Sequence, residues 1–156
     1  MKNPANSNIY EVNARSVLDA YAGYVEGDPE DLLLVLASTA VSNETQSALT
    51  RTAERLGYGN AVAWLNIAGD DMPLGARELF TVVEGLDPLA LVALDDHSVA
   101  LLAEAYRCPV ATDSLNRVFG RPLVAFSHFA TLLESDERKQ RAWALLKHLD
   151  QPLHAR

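Results

Sequence analysis

The chain has 156 residues, 49% of them hydrophobic, with a formal net charge of -8. That length and apolar content match one domain around one buried core, and they leave no room for two independent domains. The negative charge repels phosphate backbones wherever Lys and Arg are not gathered on one face, which disfavours tight nonspecific nucleic-acid binding. No apolar run reaches the roughly 20 residues of a membrane span, and the polar start lacks the layout of a signal peptide, so a cytoplasmic, membrane-free protein is expected.

Val17, Leu18, Tyr21, Ala22 and Val25 recur at helical spacing, which predicts an amphipathic helix over residues 12–26, stopped by Gly27 and Pro29. This helix (within 1–30) should cover one face of an α/β core over 31–149, followed by a short tail at 150–156. The first continuous apolar run, Leu32 to Leu36, is too short for a helix and reads as a buried strand. Ser42 or Asn43 then caps a helix over 44–56 with Ala48, Leu49, Thr52, Ala53 and Leu56 inward, ended by Gly57 and Gly59.

A second strand runs from Ala61 to Leu65 and ends at Asn66. A turn through Gly69, Asp70, Asp71 and Pro73 leads to a helix with Ala76, Leu79, Phe80, Val83 and Leu86 on its buried face. Leu89–Leu94 is the third strand, and Asp95 or Asp96 caps the helix carrying Val99, Leu102, Ala103 and Tyr106. Residues 109–122 read as a loop or irregular excursion. Leu123–Phe126 is the fourth strand, and a last helix over 137–149 turns Trp143, Leu146 and Leu149 inward. Short apolar runs alternating with periodic segments predict a three-layer α/β sandwich with a four-stranded parallel sheet.

In such a sheet ligands bind beyond the carboxyl ends of the strands. That rule selects Ser38 and Thr39, Asn66, Asp95 and Asp96, and Ser127 and His128. An Asn amide matches a pyrimidine edge and an imidazole donates to a carbonyl oxygen, so the pair suits a planar heterocycle. In structural terms, Asn66 is equally a strand-end residue bonded to its own turn, and His128 a histidine packed beside Phe126 and Phe129.

Four pieces in order resemble the uracil-DNA glycosylase superfamily, over about Leu32 to Leu149. They are the strand ending in Asn66 with Pro73 and Leu86-Asp87-Pro88 after it, the strand Leu89–Leu94, the segment Gly120 to Leu133 containing Ser127-His128-Phe129, and a closing helix with Lys139, Trp143, Leu146 and Lys147. The resemblance implies that Asn66 reads the base, with Ser127 and Phe129 beside it, and that His128 stabilises negative charge on the departing base. Glycosidic cleavage also needs a group that orients water.

There the chain departs from the family. Where the first motif carries an acid or amide on a Gly- and Pro-shaped turn, this sequence has Ala37-Ser38-Thr39-Ala40-Val41. Phe129-Ala130 replaces Pro-Ser after the motif histidine, and no aromatic before Leu56 matches the residue that stacks on the base. Glu44 is either a displaced acid or a first-turn helix residue.

The expected function is a glycosylase-like DNA repair protein with weakened or lost base excision that keeps a nucleobase pocket. The alternatives are an active hydrolase in which Ser38 or Thr39 orients water, and a non-enzymatic protein-interaction domain. DNA, a nucleobase or a protein is the expected partner, with no cofactor.

Other constellations are weaker. The single Cys108 excludes an intrachain disulfide and an iron-sulfur cluster, and reads as a packing residue. A Ser-His-Asp set of Ser38 or Ser127, His128 and Asp95 lacks a nucleophile elbow. His128 with Asp95 and Asp96 lacks a third metal ligand. His97, His148 and His154 look like helix-end or tail residues, and no phosphate-binding glycine loop is present. The basic run Arg138 to Arg141 either touches phosphates or is a solvated helix face.

Overall fold

The computed structural model describes residues 7–59 and 62–150. It has α1 (Ser7–Ala20), β1 (Val25–Glu26), β2 (Leu33–Ala37), α2 (Asn43–Arg55), β3 (Ala63–Asn66) and α3 (Ala76–Leu86). These are followed by β4 (Ala90–Ala93), α4 (Asp96–Tyr106), β5 (Ser114–Val118), β6 (Arg121–Ala125) and α5 (Asp136–Leu146). The first six residues, Ala61 at the start of the second expected strand, and the tail with His154 lie outside the described residues.

All strands join one mixed sheet in the order β1-β3-β2-β4-β6-β5. The four strands read from the sequence are its parallel centre, with Leu34 opposite Ala63, Val35 opposite Val92, and Val92 opposite Val124. The sheet nevertheless has six strands, not four. β1 pairs antiparallel with β3, and β5 pairs antiparallel with β6 inside the stretch read as a loop. Val25, assigned to the first helix, is in β1, because α1 ends at Ala20 and residues 21–24 are a turn closed by Val25 N–H donating to the Tyr21 carbonyl.

The buried strands divide their side chains between two cores. Leu34, Leu36, Leu91 and Ala93 point to the face covered by α1, α3 and α4, where Leu79, Val83 and Leu102 pack. Leu33, Val35, Val92 and Val124 point the other way, to Leu49 and Ala53 of α2 and to Ala142 and Leu146 of α5. Period-two alternation within fully buried strands is what parallel strands covered on both faces require.

Arg121, at the start of β6, fastens the edge of the sheet to the first of these cores. Its guanidinium reaches Glu84 at 2.5 Å and Asp87 at 2.7 Å, its Nε donates to the Pro88 carbonyl, and Glu84 also accepts from the Tyr106 hydroxyl. Asp87 has a left-handed backbone (φ 51°) as the C-cap of α3, so the cation also neutralises a carboxylate at a strained turn. Arg121 has a side-chain exposure of only 13%, so removing it leaves two carboxylates facing each other in a half-buried place. We expect Arg121→Ala to lower unfolding free energy by about 2–4 kcal/mol, and Arg121→Lys to recover only part of it, read by urea denaturation.

Candidate functional site

The strand order puts a topological switch point between β2 and β4. The chain leaves β2 through α2 toward β3 on one side, and leaves β4 through α4 toward β6 on the other, so the loops at their carboxyl ends diverge. A hollow of about 190 Å3 lies in that crevice, lined by Ser38, Thr39, Val41, Asp95, His128 and Phe129 among others.

Each wall follows from local chemistry. Beyond β2, Ser42 caps α2, its Oγ accepting from Thr45 N–H at 3.2 Å. Beyond β4, Asp95 caps α4, one carboxylate oxygen accepting from Ser98 N–H at 2.9 Å and from the Ser98 hydroxyl at 2.8 Å. The other oxygen accepts from Ser38 N–H at 2.9 Å. A single carboxylate therefore ties the loop after β2 to the start of α4. Beyond β6, Asp96 N–H donates to the Ser127 carbonyl, Phe129 N–H donates to the Leu94 carbonyl, and Asp95 and His128 form an isolated antiparallel bridge. The His128 carbonyl accepts from both the N–H and the hydroxyl of Thr131.

The sequence-selected residues are thus sorted. Ser38, Thr39, His128 and Phe129 line one hollow, with the His128 side exposed and the Phe129 ring fully buried against Phe126 at 5.0 Å between centroids. Phe129 is a core wall, with no open ring face for a stacked base. Ser127 contributes through its backbone.

Asn66 lines a different hollow, of about 420 Å3, with Tyr24, Gln46, Trp64 and Asp70. Val41 is a wall of both. The Asn66 Oδ1 accepts from Ala68 N–H at 2.9 Å, closing its own turn. The turn needs a glycine next: Gly69 has φ 65°, and a Cβ there would stand 2.2 Å from the Tyr24 ring. The glycine lets Tyr24 lie across the turn and donate to the Met72 carbonyl.

Asp95 is the residue whose importance the sequence understated. Its signature, an Asp directly after a buried strand with Ser three residues on, is legible as a cap, but its reach to Ser38 depends on strand order. Its oxygens are engaged by Ser38 and Ser98, not by the imidazole, which argues against a Ser-His-Asp relay. Burial pushes the Asp95 carboxyl upward, but the hydrogen bonds from Ser38 and Ser98 together outweigh it and hold the group below its usual value.

Among the described residues, no three His, Cys, Asp or Glu side chains gather as a metal site, and no helix is long and apolar enough to cross a membrane. Cys108 is half-buried and unpaired with another cysteine. Comparison with protein-family models and with curated proteins finds no match to this chain.

A depressed carboxyl stabilises the fold above its unfolded pKa, and that contribution disappears as pH falls through the folded value. Asp95→Asn should therefore cost about 1–2 kcal/mol at neutral pH, as loss of an anionic cap does. The difference from the native chain should shrink steadily in denaturation curves taken at pH values descending through the acid range.

Proposed function

We propose that this chain is a uracil-DNA glycosylase-like protein that holds a nucleobase at its switch-point hollow and has weakened or lost base excision. One observation carries the reading. Asp95 is the only carboxylate among the residues lining the hollow, and both its oxygens already accept hydrogen bonds from Ser38 and Ser98. A carboxylate so engaged is a poor proton acceptor for an attacking water, because taking the proton would break the clamp.

The remaining groups suit binding better than hydrolysis. The volume, about 190 Å3, lies below the range of drug-sized pockets and matches a single planar ring. The Thr39 hydroxyl can donate and accept, the Ser38 hydroxyl, which also bonds to Asp95, can still accept, and the exposed His128 supplies a donor for a carbonyl oxygen. In the neighbouring hollow the Asn66 Nδ2 is the part of that amide its own turn leaves to a ligand. The active alternative draws on the same arrangement, with Ser38 or Thr39 orienting water and His128 stabilising the departing base.

Single- and double-stranded oligonucleotides carrying one uracil, incubated with excess protein at low salt, decide between them. We expect no abasic product above background, together with shifts of the amide resonances of residues 38–42 and 128–130 on adding free uracil. Those shifts should vanish in Ala130→Trp, which fills the hollow. Cleavage abolished by His128→Ala would establish the active reading, and an absence of shifts at millimolar uracil would remove the base pocket.

A further inference from the structure

A second hollow, of about 330 Å3, runs between α2 and α5 and shares Phe129 with the switch-point hollow. Its floor is apolar, formed by Ala48, Leu133, Ala142 and Leu146. Its lips carry Arg51 and Arg55, one turn apart on α2, with Lys139 facing them from α5. The opposing charge is Glu44, two turns from Arg51 at the start of α2.

These cations differ from the others near them. Arg138 and Arg141, on the same helix as Lys139, are paired with Glu134 and Glu137, and Arg121 is held by two carboxylates. Among the described residues, Arg51, Arg55 and Lys139 have no ion pair, although the chain carries a net charge of -8. Arg55 lies over the Trp143 ring at 4.4 Å, which holds its guanidinium at the groove while leaving its N–H groups to bond elsewhere. Among the described residues, Arg51 bonds only to the Ser47 carbonyl of its own helix, through Nε. Three cations without ion pairs along a groove that shares a wall with the switch-point hollow match the layout of a backbone-tracking site for single strands.

We infer that the α2–α5 groove binds the phosphates of a single-stranded nucleic acid, an inference that rests on the base-binding reading for the position of the adjoining nucleotide. Arg51, Arg55 and Lys139 donate to the phosphate oxygens, and Glu44 keeps the strand toward the Arg55 end. The basic run on α5 noticed in the sequence contributes through Lys139 alone, since Arg138 and Arg141 are occupied.

The test is fluorescence anisotropy of a labelled single-stranded oligonucleotide across a salt series. It compares the native chain with Arg51→Glu/Lys139→Glu, with the milder Arg51→Gln/Lys139→Gln, and with Arg77→Glu/Arg107→Glu as a control of equal charge change, on α3 and at the C-cap of α4. All these side chains are exposed, and circular dichroism checks that each variant folds.

We expect the groove variants to weaken binding about tenfold or more and to reduce the salt slope by about one unit or more, with the control near native. Binding that is undetectable in the native chain, or equal in groove and control variants, would overturn the site. Displacement of the strand by polyglutamate at matched charge would also overturn it, in favour of an acidic peptide. An abasic strand that binds as well as the intact one, yet still loses affinity in the groove variants, would sink the base pocket alone and leave the groove standing.

Discussion

The arrangement at the strand ends depends on one carboxylate. Asp95 follows β4, caps α4 and accepts from the backbone N–H of Ser38, just beyond β2. Two loops that the topology sends in opposite directions are held together at the place where they would otherwise splay apart. The hollow at the switch point has fixed walls for that reason, and the isolated bridge from Asp95 to His128 adds the loop after β6 to the same anchor. The hydrogen bonds that tie these loops occupy both Asp95 oxygens, so any proton transfer to this carboxylate would have to break contacts that hold the rim together.

The four central strands were legible because burial on both faces leaves continuous apolar runs such as Leu33 to Ala37, which no loop and no short helix would carry. The edge strands were not. β5 reads Ser-Leu-Asn-Arg-Val, with Ser114, Leu115 and Asn116 half-buried and Arg117 exposed, so its composition resembles a loop until β6 is beside it. β1 is two residues long and owes its existence to Leu65 and Trp64 opposite it. Helix caps at Ser42 and Asp95 were readable from local chemistry, whereas the end of α1 was not, since Tyr21 and Val25 keep helical spacing while leaving the helix.

The candidate site was legible in its parts and not in its grouping. A sequence shows which residues follow strands, but not which strands are neighbours. Asn66 ends β3 and His128 follows β6, with β2 and β4 between them, so their anchor points are about 14 Å apart at ordinary strand spacing. The glycosylase resemblance joined them as one site, while here they line separate hollows that meet at Val41. The cationic groove was hidden for a similar reason: Arg51 and Arg55 look like surface residues of one helix, Lys139 like part of a basic run on another, and only packing sets them across from one another.

The connectivity of the sheet also fixes which pairings are local and which need a crossover. β5 and β6 meet through the tight turn at Phe119-Gly120, both with positive φ, while the parallel pairs must each wait for a helical crossover to close. A local pairing costs less chain entropy to close than a crossover does, and the Phe119 ring at this turn packs edge-on against Phe80 and Tyr106. The strand that delivers His128 thus has its outer edge satisfied by β5 and its inner edge by β4, so the loop carrying His128 leaves a strand held on both sides.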